Sequence, residues 1–428
     1  MTVVSTIAIE PVGPVSFDVA IQGSKSLTNR ALIVAAQAEG TTRLTNASLS
    51  DDSEYLAVAL NDLGIPVEIR ENLVVIQGGR PPKAEGRFFM GNGGTAVRFL
   101  TSFLCAGRGR YVICGDERMH ERPIGGLVDA LRELGAGIRY EGVEGCLPLA
   151  IEARGLRSGR CEMTGETSSQ FVSSLLLSAP GAKGPVEVDI PGAAVSKPYI
   201  EITLDVMRDF GVIVEREAYR RFRIPPGARY RARELAIESD GASANYFLAM
   251  AAVTGGRACV RGVGSRSHQG EIRFATILEQ MGCAVRWAPD SIEVTGGSLK
   301  GVDVDMNDCP DSVQTLACVA LFAKGATRVR NVRNLRVKET DRIAAIRKEA
   351  FKLGAQVDEA DDGFTITPPV KVLPGEIDTY RDHRMAMSFA VASVGASGIV
   401  IRDPECVSKS FPGFFEQLEL LGVRVVRR

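Results

Sequence analysis

One hydrophobic pattern recurs six times along the chain. In each copy, apolar residues at helical spacing end in an apolar residue plus glycine, and alternating apolar residues follow. The six copies are LNDLGIPVEI, LRELGAGIRY, MRDFGVIVER, LEQMGCAVRW, AFKLGAQVDE and LELLGVRVVR. Their glycines, 68 to 76 residues apart, are Gly64, Gly135, Gly211, Gly282, Gly354 and Gly422. Glycine can take the left-handed conformation that ends a helix, and the alternation after it is typical of a half-buried strand.

A second series of helices lies between these marks. Each copy is a polar loop followed by small and apolar residues: GSKSLTNRALIVAA, GNGGTAVRFLTSFL, GETSSQFVSSLLLSA, SDGASANYFLAMAAV, NDCPDSVQTLACVALFA and YRDHRMAMSFAVASV. Helices that are apolar nearly all round are expected to be buried, whereas the amphipathic helices that end at the marker glycines should cover the outside. Each repeat is therefore predicted to be a strand, a buried helix, a strand, an exposed helix and two strands, in a mixed α/β fold.

The sixth repeat ends at LGVRVVRR, without the pair of strands that the other repeats carry. The start of the chain, TIAIEPVGPVSFDVAIQG, is similar to such a pair, as in GFTITPPVKVLPGEIDTY. We therefore expect the first ~20 residues to join the C-terminal domain, since the ends of a compact domain often lie together. This predicts a continuous domain over residues 23–238 and a discontinuous one of residues 1–22 plus 239–428. A closing cleft is expected where the chain crosses between them.

The composition agrees with a two-domain globular protein. A chain of 428 residues exceeds the size at which one hydrophobic core usually splits. Apolar residues make up 45% and charged residues 24%, as in ordinary soluble proteins. Lys and Arg number 51 against 52 for Asp and Glu, which gives a net charge of −1. Nucleic-acid binding usually needs a surplus of cations, so no nucleic-acid partner is expected and any anion site must be local.

Targeting, membrane and metal signals do not stand out. The start, MTVVSTIAIEPVG, lacks a basic segment followed by an apolar core, and no apolar run approaches the ~20 residues of a spanning helix. Nine cysteines are scattered without a CxxC pair, and His120, His268 and His383 share no spacing. We therefore expect a reduced, cytoplasmic protein without a membrane partner, a disulfide framework or a metal centre.

Charged and hydroxyl side chains concentrate in the loops before the helices. The cations there are Lys25, Arg30, Arg98, Arg122, Lys338, Arg342, Arg384 and Lys409. The hydroxyls are Ser26, Thr95, Ser168, Ser169, Ser196 and Tyr199, and the carboxylates are Asp240, Asp311, Glu339 and Asp382. Helix N-termini with cations bind anions, and carboxylates can transfer protons. The pattern predicts a site for a phosphorylated, carboxylated substrate.

Each loop taken alone also has a simpler interpretation. GSKS fits a helix cap, and it departs from a nucleotide-binding P-loop because Ser24 stands where glycine is needed. VKETDR at Val337 fits a ladder of charges at helical spacing as well as a functional site, and Asp382 in DHRMAM fits a cap. Because cations and hydroxyls recur at equivalent loops of most repeats, the functional interpretation is favoured.

The motifs GSKSLTNRAL, GNGGTAVR, ERPIGGLVDAL, SSQF, VSKPYIEITL, QGEIRFA, VKETDRI, DHRMAM and DPECVSKSFPGFF occur in this order along the chain. Together they resemble the 5-enolpyruvylshikimate-3-phosphate synthase family over essentially the whole length. The resemblance implies two similar α/β domains, each of three βαβαββ repeats with buried parallel helices, and an active site in the interdomain cleft. It also implies enolpyruvyl transfer from phosphoenolpyruvate to shikimate-3-phosphate, without a metal or an organic cofactor. We expect a monomer, since an active site formed within one chain needs no second copy.

The resemblance also assigns roles to residues of this chain. Around shikimate-3-phosphate it implies Lys25, Ser26, Arg30, Ser168, Ser169, Gln170, Ser196, Tyr199, Asp311, Asn334 and Lys338. Around phosphoenolpyruvate it implies Lys25, Asn92, Gly94, Arg122, Gln170, Arg342, His383, Arg384 and Lys409. It makes Asp311 the base that takes the proton of the 5-hydroxyl and Glu339 the acid that protonates the methylene carbon, with Lys25 and His383 assisting.

Two residues depart from the family's pattern. Phe99 stands where many relatives carry proline, and Gly93 replaces a common alanine. Both flank Gly94, beside which the inhibitor glyphosate binds in this family, so sensitivity to glyphosate is left open. UDP-N-acetylglucosamine enolpyruvyl transferase is the nearest alternative, but its AKNA motif is replaced here by SKSLTNR. An RNA-binding protein of a related repeat fold is disfavoured by the net charge of −1.

Overall fold

The predicted alternation of strands and helices runs through the computed structural model, which describes residues 5–80, 82–164 and 168–427. The chain folds into two units. One is Gly23–Glu238, here called the continuous unit. The other consists of Met1–Gln22 and Ser239–Arg428, here called the discontinuous unit.

Two strands, β1 (Thr6–Ile9) and β2 (Ser16–Ala20), precede the continuous unit in the chain. The strands of the continuous unit are β3 (Gly40–Thr45), β4 (Val67–Arg70), β5 (Leu73–Gly78), β6 (Glu85–Phe89), β7 (Arg108–Cys114), β8 (Gly137–Tyr140), β9 (Leu149–Arg154), β10 (Gly159–Glu162), β11 (Val186–Asp189), β12 (Glu215–Glu217), β13 (Arg221–Ile224) and β14 (Glu234–Ala236). Its α-helices are α1 (Lys25–Gln37), α2 (Asp51–Asp62), α3 (Gly94–Ala106), α4 (Gly125–Glu133), α5 (Ser169–Ser178) and α6 (Lys197–Asp209).

The described strands of the continuous unit form three sheets, ordered β14-β3-β5-β4, β6-β7-β9-β8 and β10-β11-β13-β12. In each sheet the first two strands are parallel and the other pairs are antiparallel. The register places Val112 of β7 between Arg87 of β6 and Ala150 of β9. Because β14 comes last in the unit and pairs with β3, the third repeat supplies the first strand of the first sheet.

The discontinuous unit repeats this arrangement. Its remaining strands are β15 (Arg257–Arg261), β16 (Ala284–Ala288), β17 (Ser291–Thr295), β18 (Asp303–Asp305), β19 (Thr327–Arg330), β20 (Gln356–Ala360), β21 (Gly363–Thr367), β22 (Gly375–Ile377), β23 (Ile399–Arg402) and β24 (Val425–Arg427). Its α-helices are α7 (Gly241–Thr254), α8 (Arg273–Gln280), α9 (Val313–Ala320), α10 (Arg342–Lys352), α11 (His383–Gly395) and α12 (Phe414–Leu420). The sheets, within the described residues, are β16-β17-β15-β2, β18-β19-β21-β20 and β22-β23-β1-β24.

The two N-terminal strands complete two different sheets of the discontinuous unit. Strand β1 lies between β23 and β24 and is antiparallel to both, so that Ala8 faces Val400 and Val426. Strand β2 is parallel to β15 and takes the position of a first strand. The N-terminal segment therefore closes the sixth repeat and begins the fourth.

The second helix series is buried, as its sequence predicts. Every residue of α3 and of α11 except the last is buried. Helices α1, α3 and α5 pack against one another, and so do α7, α9 and α11. Some of their polar side chains pair inside the core: Ser102 with Ser174 at 2.6 Å, and Thr315 with Ser388 at 3.1 Å between hydroxyl oxygens. Small residues allow this close packing, and their paired hydroxyls avoid the cost of burying unsatisfied polar groups.

The six marker glycines end the outer helices in the predicted conformation. Their φ angles lie between 83° and 110°, which L-residues with a side chain rarely adopt. Within the three described ranges, none of the helices combines the length and the apolar character needed to cross a bilayer.

Candidate active site

Arg342 is fixed at the start of α10. Asp341 caps this helix by accepting a hydrogen bond from the backbone N–H of Ala344 at 3.1 Å. The cap satisfies a donor that the helix leaves unpaired and so defines where the helix begins. As the first helical residue, Arg342 is only 1% exposed.

The guanidinium of Arg342 holds three carboxylates. Its Nε donates to Asp382 Oδ2 at 2.8 Å and its Nη2 to Asp382 Oδ1 at 3.2 Å. Nη2 also donates to Glu339 Oε2 at 2.9 Å, and Nη1 donates to Asp311 Oδ1 at 3.0 Å. Burial opposes the charged form, but the three carboxylates raise the pKa of Arg342 above its ordinary value.

Asp311 is surrounded by cations. It lies in the 3-10 helix Pro310–Ser312, ahead of α9. Its Oδ2 accepts from Arg384 Nη2 at 2.8 Å, and Lys338 Nζ lies 3.7 Å from Oδ1. Burial by itself raises the pKa of Asp311, but Arg384, Lys338 and Arg342 outweigh it and hold that pKa well below its ordinary value. Asp311 is therefore an ionised hydrogen-bond acceptor at neutral pH.

Glu339 lies between two cations. Its Oε2 accepts from Arg342, and Lys409 Nζ lies 3.8 Å from its Oε1. We call Asp311, Glu339, Arg342, Asp382 and Arg384 the carboxylate–arginine cluster. With Lys338 and Lys409 at its edge, the cluster has four cations for three carboxylates. The surplus of positive charge suits an anionic substrate.

Helix α11 brings its first residues to this cluster. Asp382 caps α11 by accepting from the backbone N–H of Arg384 at 2.9 Å, and it also pairs with Arg342. Asp382 is therefore both the cap of α11, as the sequence predicts, and an ion-pair partner of Arg342. His383 is 1% exposed, with its Nδ1 3.6 Å from Asp382 Oδ1. Asn334 lies in the 3-10 helix Arg333–Val337 ahead of Lys338, and Asp240 caps α7 through the backbone N–H of Ser243 at 2.7 Å.

Two guanidinium groups converge on the N-terminus of α3. A Cβ added at Gly94 would lie 2.6 Å from Arg122 Nη2 and 2.9 Å from Arg98 Nη1, so only glycine fits without a shift. Arg122 Nη1 donates to the backbone oxygen and to Oδ1 of Asn92, each at 2.9 Å. Arg98 donates to Pro123 O at 2.9 Å and to Gln170 Oε1. We call Gly94, Arg98 and Arg122 the arginine cradle, and two cations beside a helix N-terminus would suit an anion.

Lys25 is held by a carboxylate that the sequence analysis missed. Lys25 begins α1, and its Nζ lies 3.0 Å from Asp52 Oδ2 near the start of α2. The side chains are 12% and 3% exposed. Asp51, Asp52 and Glu54 all lie in the first turn of α2, where acidic side chains interact favourably with the helix dipole. In the sequence, Asp52 is therefore explained by its place at the start of α2, and its pairing with Lys25 could not be predicted.

Arg30 is buried without a carboxylate at ion-pair distance in the described ranges. Its Nε donates to Thr203 Oγ1 at 2.7 Å and its Nη1 to Ser26 O at 2.8 Å. Nη2 donates to Tyr199 O at 3.0 Å, and the guanidinium lies 5.2 Å from the centre of the Phe99 ring. Burial lowers the pKa of Arg30 to about 9, so the group stays charged at neutral pH. An anionic ligand would stabilise such a buried cation.

Four of the predicted hydroxyls lie at the starts of α5 and α6, while Ser26 and Thr95 lie in the first turns of α1 and α3. Ser168 caps α5 by accepting from the backbone N–H of Gln170 at 3.2 Å, and Ser169 is buried beside it. The loop residues 165–167 lie outside the described residues. Ser196 precedes α6 with φ 51°, and Tyr199 lies in the first turn of that helix. The predicted site residues thus lie in local groups, some in the continuous unit and some in the discontinuous unit.

Comparisons with known proteins agree on one family. The sequence model of the EPSP synthase family, 3-phosphoshikimate 1-carboxyvinyltransferase, matches residues 9–418. A relative with the same enzyme name from Sulfurovum sp. (strain NBC37-1) is 48% identical over 424 residues, which cover 98% of this chain and 99% of the relative. Another, from Shewanella halifaxensis (strain HAW-EB4), is 47% identical over 420 residues, covering 97% and 99%.

The solved structure of EPSP synthase from Acinetobacter baumannii is similar to this chain with a TM-score of 0.81, at 29% identity, over 99% of this chain and all of that chain. The six-repeat α/β fold, together with these matches, places the chain in the class of enolpyruvyl transferases. Within that class, the chain belongs to the EPSP synthase family, 3-phosphoshikimate 1-carboxyvinyltransferase.

Proposed function

We propose that the protein transfers the enolpyruvyl group of phosphoenolpyruvate to the 5-hydroxyl of shikimate-3-phosphate and releases phosphate. In the addition step, the 5-oxygen bonds to C2 of phosphoenolpyruvate while the hydroxyl proton leaves and C3 gains a proton. In the elimination step, C3 loses a proton and the bond from C2 to the phosphate oxygen breaks. The observation that carries the proposal is the pairing of Asp311 and Glu339 through one guanidinium, that of Arg342.

Asp311 is the proposed base. Its lowered pKa keeps it ionised, so it can accept the hydrogen bond of a substrate hydroxyl. In the free protein the same three cations make it a weak base. Substrates with several negative charges would compensate those cations and raise the pKa of Asp311 again, so its basicity would increase when both substrates are bound.

Glu339 is the proposed acid. Its side chain is 8% exposed, and its two oxygens face Arg342 and Lys409. A proton on Glu339 could pass to C3 in the addition step and return in the elimination step. Lys25 and His383 are proposed to assist these transfers.

Anion binding is proposed to be divided between groups of residues. The arginine cradle with Asn92 and Lys25 would hold phosphoenolpyruvate, because arginine suits carboxylate and phosphate while lysine adds a point charge. Arg30, with the hydroxyls at the starts of α5 and α6, would hold the carboxylate and phosphate of shikimate-3-phosphate. The expectation that both substrates bind between two domains stays a prediction.

The alternative, UDP-N-acetylglucosamine enolpyruvyl transferase, is not favoured, since the family model and the named relatives agree on the shikimate enzyme. Among the described residues, no group of three His, Cys, Asp or Glu side chains could hold a metal ion. Sensitivity to glyphosate stays open, and a cytoplasmic location and a monomeric state stay predictions.

The proposal is tested by measuring phosphate release from phosphoenolpyruvate with the purified protein. Release that requires shikimate-3-phosphate is the expected result. Release with UDP-N-acetylglucosamine instead, or with neither acceptor, would overturn the proposal.

A further inference from the structure

A strained turn precedes Asp382. Tyr380 and Arg381 have φ angles of 55° and 54°, so two consecutive residues with side chains are in the left-handed region. Such conformations are disfavoured for L-residues other than glycine, and they persist where surrounding contacts enforce them. The turn is therefore held by specific partners.

Glu349 supplies these partners from α10. Its carboxylate is fully buried, and its Oε1 accepts from the Tyr380 hydroxyl at 2.6 Å. Its Oε2 accepts from the backbone N–H of Asp378 at 3.0 Å and from Lys352 Nζ at 2.6 Å. Both carboxylate oxygens of Glu349 thus accept hydrogen bonds from this segment, one from Asp378 and one from Tyr380. Lys352 supplies the positive charge that a buried carboxylate needs.

The same helix holds the other end of the turn. Arg342 begins α10 and binds Asp382 through two nitrogens. Glu349 follows seven residues later, which is about two helical turns and places both side chains on one face. One rigid element therefore holds the segment before the strained turn and the residue after it.

We infer that Glu349 is a positioning residue for catalysis: through Tyr380 it holds the left-handed turn that presents Asp382 to Arg342. Arg342 in turn holds the other two carboxylates of the carboxylate–arginine cluster, Asp311 and Glu339. Glu349 acts through these groups rather than on a substrate. As a statement about catalysis, the inference rests on the proposed function.

Three variants test the chain of contacts. Tyr380→Phe removes only the hydroxyl, Glu349→Ala removes both acceptors, and Glu349→Gln keeps an oxygen for Tyr380. A hydrogen bond to a charged group is lost in the first two, so we expect kcat to fall about tenfold or more. Glu349→Gln should stay within about threefold of the parent. The KM for shikimate-3-phosphate should change little, because most of its expected contacts lie in the continuous unit.

Tyr111→Phe is a matched control. The Tyr111 hydroxyl donates to Lys83 O and Arg108 O, each at 2.9 Å, and none of these three residues belongs to the predicted site. This variant should lose thermal stability but keep kcat. If Tyr380→Phe behaves like Tyr111→Phe, with a normal kcat, then the role is structural only and the inference is wrong.

A glycine substitution in the turn tests whether the loss of kcat in Tyr380→Phe comes from backbone strain. Because glycine adopts the left-handed conformation readily, Arg381→Gly should reduce the need for the tether. The double variant Tyr380→Phe/Arg381→Gly should recover kcat to within about threefold of the parent. A double variant as slow as Tyr380→Phe alone would contradict the inference. If Tyr380→Phe does not fold, the comparison of Glu349→Gln with Glu349→Ala decides, and equal kcat values would overturn the inference.

A crystal structure of Tyr380→Phe separates this inference from the proposed function. The two contacts between Arg342 and Asp382 should lengthen beyond hydrogen-bond distance, whatever reaction the protein catalyses. Unchanged contacts would overturn the inference even if the parent is active. If the contacts are displaced in Tyr380→Phe but the parent protein releases no phosphate, the proposed function is overturned. The positioning of Asp382 by Tyr380 would still be established.

Discussion

Arg342 and Asp382 are joined by hydrogen bonds of 2.8 and 3.2 Å, and neither side chain is more than 1% exposed. Removing Asp382 takes one of three carboxylates from the buried Arg342 and takes the cap from α11. The contact therefore affects stability as well as the geometry of the cluster.

Asp382→Ala is expected to destabilise the protein by about 3 kcal/mol, which corresponds to about 6–12 °C in the melting temperature of a unit of this size. Differential scanning calorimetry measures the shift. Asp18→Ala is the control, because its pair with Arg261 is exposed and such pairs contribute little. Equal shifts in the two variants would contradict the importance of the buried pair.

Asp52→Asn is expected to lower kcat/KM for phosphoenolpyruvate about tenfold, because Lys25 loses the charged acceptor that fixes its amine. Steady-state kinetics with varied phosphoenolpyruvate give the value. Asp51→Asn is the matched control, since it changes the charge of the same helix turn by the same amount. If both variants have the same kinetics, charge at the helix start explains the effect and the positioning of Lys25 does not.

Gly94→Ala is expected to raise the KM for phosphoenolpyruvate about tenfold or more, because the new Cβ displaces two guanidinium groups. At Gly93 a Cβ would lie 3.0 Å from Met90 O and 3.2 Å from Asp52 Oδ1, so Gly93→Ala needs only a small shift. A similar KM in Gly94→Ala and the parent would show that the arginine cradle does not bind this substrate.

The stability that Asp311 contributes should depend on pH. Its pKa is lowered by folding, so the contribution is complete above the unfolded pKa of about 3.9 and is lost as the pH falls through the folded value. The difference in unfolding free energy between the parent and Asp311→Asn should therefore shrink as the pH is lowered from about 5 toward 2. Urea unfolding at several pH values measures it, and a constant difference would show that the three cations do not stabilise the charged form.

Much of the fold could be predicted because the pattern repeats. The six glycines, the buried helices and the role of the N-terminal strands all follow from comparing one repeat with the next. The assignment of β1 to β23 and β24 depends on pairing across about 400 residues, for which the sequence gives similarity but no register.

Some residues of the candidate site were predicted from the sequence and others were not. Cations in the loops before helices were identified because they recur, with hydroxyls, at equivalent loops of most repeats. Asp52 and Glu349 were missed, since an acid at a helix start favours the dipole and Glu349 with Lys352 resembles an ordinary pair at helical spacing. The left-handed turn at Tyr380 and Arg381 contains no glycine, so the sequence does not indicate it.

The central claim is that Asp311 and Glu339 carry the proton transfers of enolpyruvyl transfer. The most direct measurement is the rate of phosphate release in Asp311→Ala and Glu339→Ala, together with the dissociation constant of shikimate-3-phosphate by calorimetry. We expect kcat to fall by about two to four orders of magnitude in each variant, as for other general acids and bases, with a much smaller change in binding. A parental rate in either variant would contradict the role assigned to that residue.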